Sequence, residues 1–375
     1  MEVRIAEEVM IDSVLFVAGL VGVGYFLNDV FQGVVVPRPT PGRFRLSRWL
    51  IRPTWKVWRW YGLRISDADR RERMLGTFAP LAVILLLICW MAGLIISYGL
   101  MLYALRSGIQ PPLHNLGEAF YFAGVSVLTL GFGDILATGG LARLIVLMEA
   151  ISGLGLIALA ISFLFSLYAS LQRRETQVVT LDARAGAPPS AIALLETYAK
   201  LKLVPDLPRF FADWEVWAAQ VLDQHLAYPL LAYFRSSHDN ESWVSALGAV
   251  LDTATLVLTT IEGDHHGEAL MMYSMGRHLV EDLSRFFRLH DGGEVGVEPD
   301  EFDQARDRLH AAGYRLRPRE QAWKKFVELR SAYADPLNTM AKFWAAPPAQ
   351  WIGDRSYVRL FADRHQPEAN ARAAS

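Results

Sequence analysis

Residues 117–140 read GEAFYFAGVSVLTLGFGDILATGG, and this stretch decides how the chain is organised. It is apolar over most of its length, yet too short to cross a bilayer as a helix, which takes ~20 residues. Asn115 or Gly117 suits the N-cap of a short helix at 118–128, with Glu118 favoured in its first turn by the helix dipole. Gly131 and Gly133 then break it. An apolar segment that enters without crossing reads as re-entrant. Such backbone survives at membrane depth only where protein buries it or where it lines an aqueous path.

Two longer apolar runs flank this segment. Residues 78–105 carry no charge over 28 positions, and residues 150–172 carry none over 23. As a helix the first run reaches ~42 Å, more than a hydrocarbon core requires. A third run, 13–36, is mostly apolar but contains Asn28, Asp29 and Gln32. Its N-terminal flank is acidic (Glu2, Glu7, Glu8, Asp12) and no small-residue cleavage site follows, so a membrane span is expected rather than a signal peptide. Composition agrees, because 52% apolar and only 20% charged residues exclude a disordered chain. Cys89 is the only cysteine, which excludes a disulfide scaffold.

The loops orient these spans. Residues 37–77 hold 11 Lys/Arg and 3 acids, net +8, and the positive-inside rule keeps such a loop cytoplasmic. The N-terminus is then expected outside the cell membrane, with residues 106–140 on the outer side. The last span returns to Arg173 and Arg174, and everything beyond Gln177 is expected in the cytoplasm.

Thr129-Leu130-Gly131-Phe132-Gly133-Asp134 resembles the signature of the potassium channel family, usually written T-V-G-Y-G-D. Its Leu and Phe variants resemble the pore loops of two-pore-domain potassium channels. The upstream Glu118-Ala119-Phe120-Tyr121-Phe122 is similar to the family's pore-helix start. The resemblance covers roughly residues 78–172. It implies an all-α membrane protein with a tetrameric potassium-channel pore domain at 78–176. That domain comprises an outer helix 78–105, a pore helix 118–128, a filter 129–134 and an inner helix 141–171. An extra N-terminal membrane helix (1–36), a basic Trp-rich linker (37–77) and an α-helical cytosolic domain (177–375) complete the chain.

The resemblance further implies a homotetramer, each chain supplying one filter strand, and passive potassium conduction with no cofactor beyond the permeant ion. A potassium ion stripped of water must be given oxygen ligands, and rings of backbone carbonyls provide them. The carbonyls of Thr129, Leu130, Gly131 and Phe132 are implied to line the path, and the Thr129 hydroxyl completes its inner site. Leu130 and Phe132 would point into the supporting wall, and Asp134 would be bonded behind the filter. Glycine reaches the backbone angles required at little cost, hence Gly131 and Gly133. Two residues depart from the family pattern. Phe132 lacks the bracing tyrosine hydroxyl, and Leu128 stands where a first threonine is common. Both departures bear on selectivity over sodium, and a weakly selective cation channel is the alternative. A membrane-tethered sensor with a non-conducting pore-like region is another; an enzyme is not expected.

In the inner helix, Gly153 and Gly155 serve either as a gating hinge or as a small-residue packing face. Glu149, an acid inside this span, can face the cavity, brace the pore helix, or sit hydrated near the outer interface. A voltage sensor needs a basic residue at every third position of a spanning helix. The closest run (Arg45, Arg48, Arg52, Lys56, Arg59) is interrupted by Pro53 and set in a loop too polar to insert. Trp49, Trp55, Trp58 and Trp60 lie among those basic residues. Residues 43–64 are therefore expected to lie on lipid headgroups, as passive anchor or as bias on a gate. Nucleic acid is not an expected partner.

Helical patterns fill the C-terminal part at 191–203, 207–226, 241–261, 268–289, 299–312 and 318–344, with Pro336 expected to kink or split the last. This predicts a bundle of six helices that takes an unidentified ligand or protein partner. No strand followed by G-x-G-x-x-G occurs; Gly292-Gly293-Glu294-Val295-Gly296 has the wrong spacing. Residues 262–268 (EGDHHGE), with His278 and Glu281, read as a solvated loop, a transition-metal site being the alternative. No metal ligand is assigned. The tail, 367–375, is expected to be disordered.

Overall fold

A computed structural model of the chain describes residues 2–36, 46–236, 242–263, 266–289, 296–347 and 349–351. Arg38, Arg43 and Arg45 of the basic loop, Asp264 and His265, Gly292 to Val295 and the tail 367–375 lie outside the described residues. The first elements are α1 (Glu2–Val30), α2 (Leu46–Gly62), α3 (Ala68–Gly76), α4 (Phe78–Ala104), β1 (Ile109–Gln110), α5 (Leu116–Val127), β2 (Leu136–Ala137) and α6 (Gly140–Ala185). Six helices follow: α7 (Ala191–Lys200), α8 (Leu207–Ala227), α9 (Trp243–Thr259), α10 (His266–Phe287), α11 (Pro299–Ala311) and α12 (Arg319–Trp344). The chain divides into two compact units, residues 1–54 with 80–168 and residues 55–79 with 169–375.

The first unit is an all-α membrane unit. Three stretches are long and apolar enough to cross a bilayer: Ala6–Val35, Ala68–Ala104 and Gly140–Ala185. Small residues bring α1 against α4. A Cβ on Gly19 would come 2.4 Å from the Ser97 carbonyl oxygen, and one on Gly93 would meet the Phe26 ring at 2.2 Å. Such contacts replace the hydrophobic drive that is missing between helices in lipid. The polar interruption of the first span is satisfied within the unit. Asp29 is buried, and its carboxylate accepts from Trp90 Nε1 at 2.7 Å and from the Leu46 N–H at 3.2 Å. Near the other end of α1, Asp12 pairs with Arg106. Val14, Val17 and Val21 stay exposed along α1, as contact with lipid tails requires.

The expected inner helix is longer than its apolar part. α6 has 46 residues and continues to Ala185, so the boundary expected at 176/177 falls inside a helix; the units divide instead at Tyr168. The polar sequence after Gln172 contains no glycine or proline before Gly186, and Val178, Leu181 and Ala185 are buried in the second unit. Of the expected linker at 37–77, the residues from Trp55 onward belong to the second compact unit. Trp55 is buried there; its indole N–H donates to the Phe343 carbonyl at 3.1 Å, and Arg59 Nη2 donates to that of Lys342 at 2.8 Å. Protein therefore takes up one face of the helix expected on headgroups, while Trp49, Val57, Trp60 and Tyr61 stay exposed on it. Pro53 lies inside α2, and the helix continues through it.

All six helices expected between 191 and 344 are present, each end within three residues of its expected place. α9 is enclosed along nearly its whole length. At its centre Asp252 accepts from Arg330 Nε at 3.0 Å and from the Tyr333 hydroxyl at 2.6 Å, a paired charge in a dry core. Pro336 does not split α12: Tyr333, Leu337 and Met340 are buried on both sides of it, and this packing holds the helix through the missing N–H. His266 opens α10 and accepts from Arg317 Nη2 at 2.6 Å, and no metal-binding group occurs among the described residues.

His225 is wholly buried on α8. Its Nδ1–H donates to the Val221 carbonyl at 2.7 Å, which leaves Nε2 facing Arg174 Nη1 at 3.4 Å. Burial first, and then the Arg174 charge, push its pKa down to about 3. The unfolded chain takes up a proton near pH 6.5 and the folded chain does not. Stability is thus unaffected above that pH and falls below it. The expected loss at pH 5 is ~2 kcal/mol. Thermal melts of wild type and His225→Gln between pH 7.5 and 5 check this: the wild-type melting temperature should fall and the variant's should stay flatter.

Candidate functional site

The re-entrant segment begins with a capped helix. The Asn115 side chain accepts from the Glu118 N–H at 3.0 Å, and the Glu118 carboxylate accepts in return from the His114 N–H at 2.7 Å. α5 buries Ala119, Phe122, Ala123, Val125 and Val127. It packs closely on α4, where a Cβ on Gly99 would lie 2.4 Å from the Phe120 ring. Its last turn closes with Leu128 N–H to Gly124 O at 3.0 Å, Thr129 N–H to Ser126 O at 3.0 Å and Leu130 N–H to Val125 O at 2.9 Å.

Beyond that point the backbone changes character. φ is positive at Thr129 (56°), Gly131 (61°) and Gly133 (78°), and not at the residues between them. This alternation turns successive carbonyls of an extended chain towards one side. Only glycine adopts positive φ freely, and Thr129 does so against its β-branch. Among the described residues no group donates a hydrogen bond to the carbonyls of Thr129 to Gly133. Five consecutive carbonyl oxygens are thus without a protein donor among the described residues.

The limb after these carbonyls is held on both sides. Asp134 accepts from the Tyr121 hydroxyl at 2.9 Å, tying it to the middle of α5. β2 pairs antiparallel with β1, Ile109 opposite Ala137 and Gln110 opposite Leu136. The Gly108 carbonyl accepts from Thr138 and Gly139 N–H at 2.8 and 2.9 Å, and Arg143 Nε donates to Ala137 O at 3.1 Å. Leu130 and Phe132 are more than half exposed in the single chain. Beside them Phe122, Val125, Ile135 and Val146 line an apolar cleft of about 430 Å³.

Residues 83–170 match the model of a family described as ion channel. These residues carry an ion-channel domain. A 207-residue stretch is 25% identical to the uncharacterized membrane protein YdjJ of Bacillus subtilis, covering 54% of this chain and 59% of that protein. A 73-residue stretch is 36% identical to a hyperpolarization-activated voltage-gated potassium channel of Methanocaldococcus jannaschii, covering 19% of this chain and 32% of the relative. The resemblance of the ion-channel domain to the potassium channel family rests on these matches as well as on the signature. The chain spans less than two thirds of either curated relative. No solved structure matches it.

Within the ion-channel domain, α6 lies directly behind α5. A Cβ on Gly153 would come 1.9 Å from the Val127 carbonyl oxygen, whereas one on Gly155 would meet nothing within 4 Å. Gly153 thus sits at a close approach to α5, and Gly155 does not. Glu149, one turn before Gly153, is fully enclosed, and neither of its carboxylate oxygens has a hydrogen-bond partner. Sequence reasoning missed two bracing contacts, Tyr121 to Asp134 and the Tyr98 hydroxyl to Ser152 Oγ at 2.8 Å. A tyrosine one turn into the pore helix was the available signal for the first, and nothing local signals the second.

Gly153→Ala should displace the pore helix and lower stability by ~1–3 kcal/mol, the cost of overpacking. Gly155→Ala should leave it unchanged or raise it. Melting of the two purified variants in detergent separates them.

Proposed function

We propose that the protein is a potassium-selective channel, a homotetramer in which four Thr129–Asp134 strands surround one axis and the ion passes down its gradient. The observation that carries this reading is the run of unpartnered carbonyls with φ alternating in sign, held between two spanning helices. A dehydrated monovalent cation needs such an oxygen cage, and one chain supplies only a quarter of it. The exposed Leu130, Phe132 and Leu136 and the apolar cleft beside them suit burial by neighbouring copies. Tyr121 takes over, from the pore helix, the bracing that a filter tyrosine would give and Phe132 does not. The net charge of +8 over residues 37–77 supports a cytoplasmic position for that loop, with the N-terminus outside and the second unit inside, where it answers an unidentified stimulus.

Reversal potentials in proteoliposomes under a potassium–sodium gradient test the reading. The potential should follow the potassium gradient, and Gly131→Asp should abolish current while leaving the oligomer intact. A potential near zero would point instead to a weakly selective cation pore. Current that survives Gly131→Asp removes the filter assignment.

A further inference from the structure

Residues 228–236 join α8 to α9 in sequence, and every part of this strap is held. Leu230 to Phe234 are buried. The Leu231 and Phe234 carbonyls each accept at 2.9 Å from the guanidinium of Arg174, a fully buried residue on α6. The neighbouring Glu175 accepts from Arg174 Nη2 at 2.7 Å and from the Ser236 hydroxyl. The pore-lining helix is therefore gripped by the strap within a few residues of entering the second unit.

The same strap grips the base of the outer helix. Arg235 Nη1 donates to Glu72 of α3 at 2.6 Å, and its Nη2 donates to the Trp344 and Ala345 carbonyls at the end of α12, at 2.9 and 2.8 Å. The Tyr233 ring lies 5.6 Å from that of Phe78, the first residue of α4, and 5.5 Å from that of Trp55 on α2. Burial depresses the pKa of Arg235, and Glu72 opposes that shift. Four carbonyls and two carboxylates thus receive two arginines, Arg174 reaching the strap from α6 and Arg235 reaching out from it. Guanidinium groups enclosed among several acceptors in this way resist displacement, because an acceptor lost leaves charge uncompensated.

We propose that the 228–236 strap is the coupling element of this channel: it carries displacements of the second unit to the bases of α4 and α6 together, with Glu72, Tyr233, Arg235 and Arg174 as positioning residues. The proposal rests on the conducting role given above. The proposal places the gate where the cytosolic ends of α4 and α6 change spacing. A segment tied to both stems is stressed by that change, so the Glu72–Arg235 tie has different free energies in the open and closed states. A contact shifts an equilibrium only through such a difference.

Single-channel recording of the full chain in lipid bilayers tests this with Glu72→Gln, which removes one charge at the half-exposed end of the tie. Open probability should change about fivefold, with unit conductance and reversal potential as in wild type. Combining it with Arg235→Gln should shift open probability by less than the sum of the two single changes, because the two residues share one contact. An open probability equal to wild type, or fully additive shifts, overturns the coupling. A wild-type chain that passes no current defeats the conducting role instead, and amide exchange then decides the strap. Glu72→Gln should speed exchange about fivefold in α3 and leave α9 unchanged; equal exchange in α3 overturns the tie.

Discussion

A peptide carbonyl at membrane depth must find a partner, because no water is there to supply one and each failure costs several kcal/mol. The segment from Thr129 to Gly133 is built against that constraint. Its oxygens are left without protein donors, and its φ angles alternate through values that Thr129 adopts under strain. The surroundings hold it in that state. α5 supplies a rigid lead-in, Asp134 is tied back to Tyr121, and β1 with the Gly108 carbonyl fastens the exit. In the proposed tetramer a permeating cation settles the account by coordinating those oxygens.

The rest of the membrane unit follows from how apolar helices associate. With no hydrophobic gain between helices in lipid, contact depends on small residues and on matched polar groups. Gly19, Gly93, Gly99 and Gly153 mark close approaches where a Cβ has no room. Asp29, an awkward residue in a span, is explained by Trp90, which faces it from α4. Glu149 stands apart, enclosed without a hydrogen-bond partner next to the most crowded of these glycines. In the second unit, Arg174, Arg235 and Arg330 are each given several acceptors.

α6 links the two units covalently. It has no helix breaker between Gly155 and Gly186, and over 46 residues it extends ~69 Å, about twice the hydrocarbon thickness.

Local sequence was enough to place the three apolar spans, the capped helix before the glycines, the T-L-G-F-G-D turn and six helices between 191 and 344. Each depends on residues within a few turns: charge-free length, an N-cap, helical periodicity, or glycine where φ must be positive. Tertiary structure alone decided which partner each element chose. Trp55 and Arg59 sit in a basic, Trp-rich stretch whose composition suits lipid, yet they meet carbonyls nearly 290 positions away. Gly153 and Gly155 look alike in sequence and differ because only one faces Val127. The strap carries no motif, since main-chain carbonyls are its acceptors and these are the same for every residue type. What a side chain can do is written locally, whereas what it meets depends on long-range packing that no neighbouring residue records.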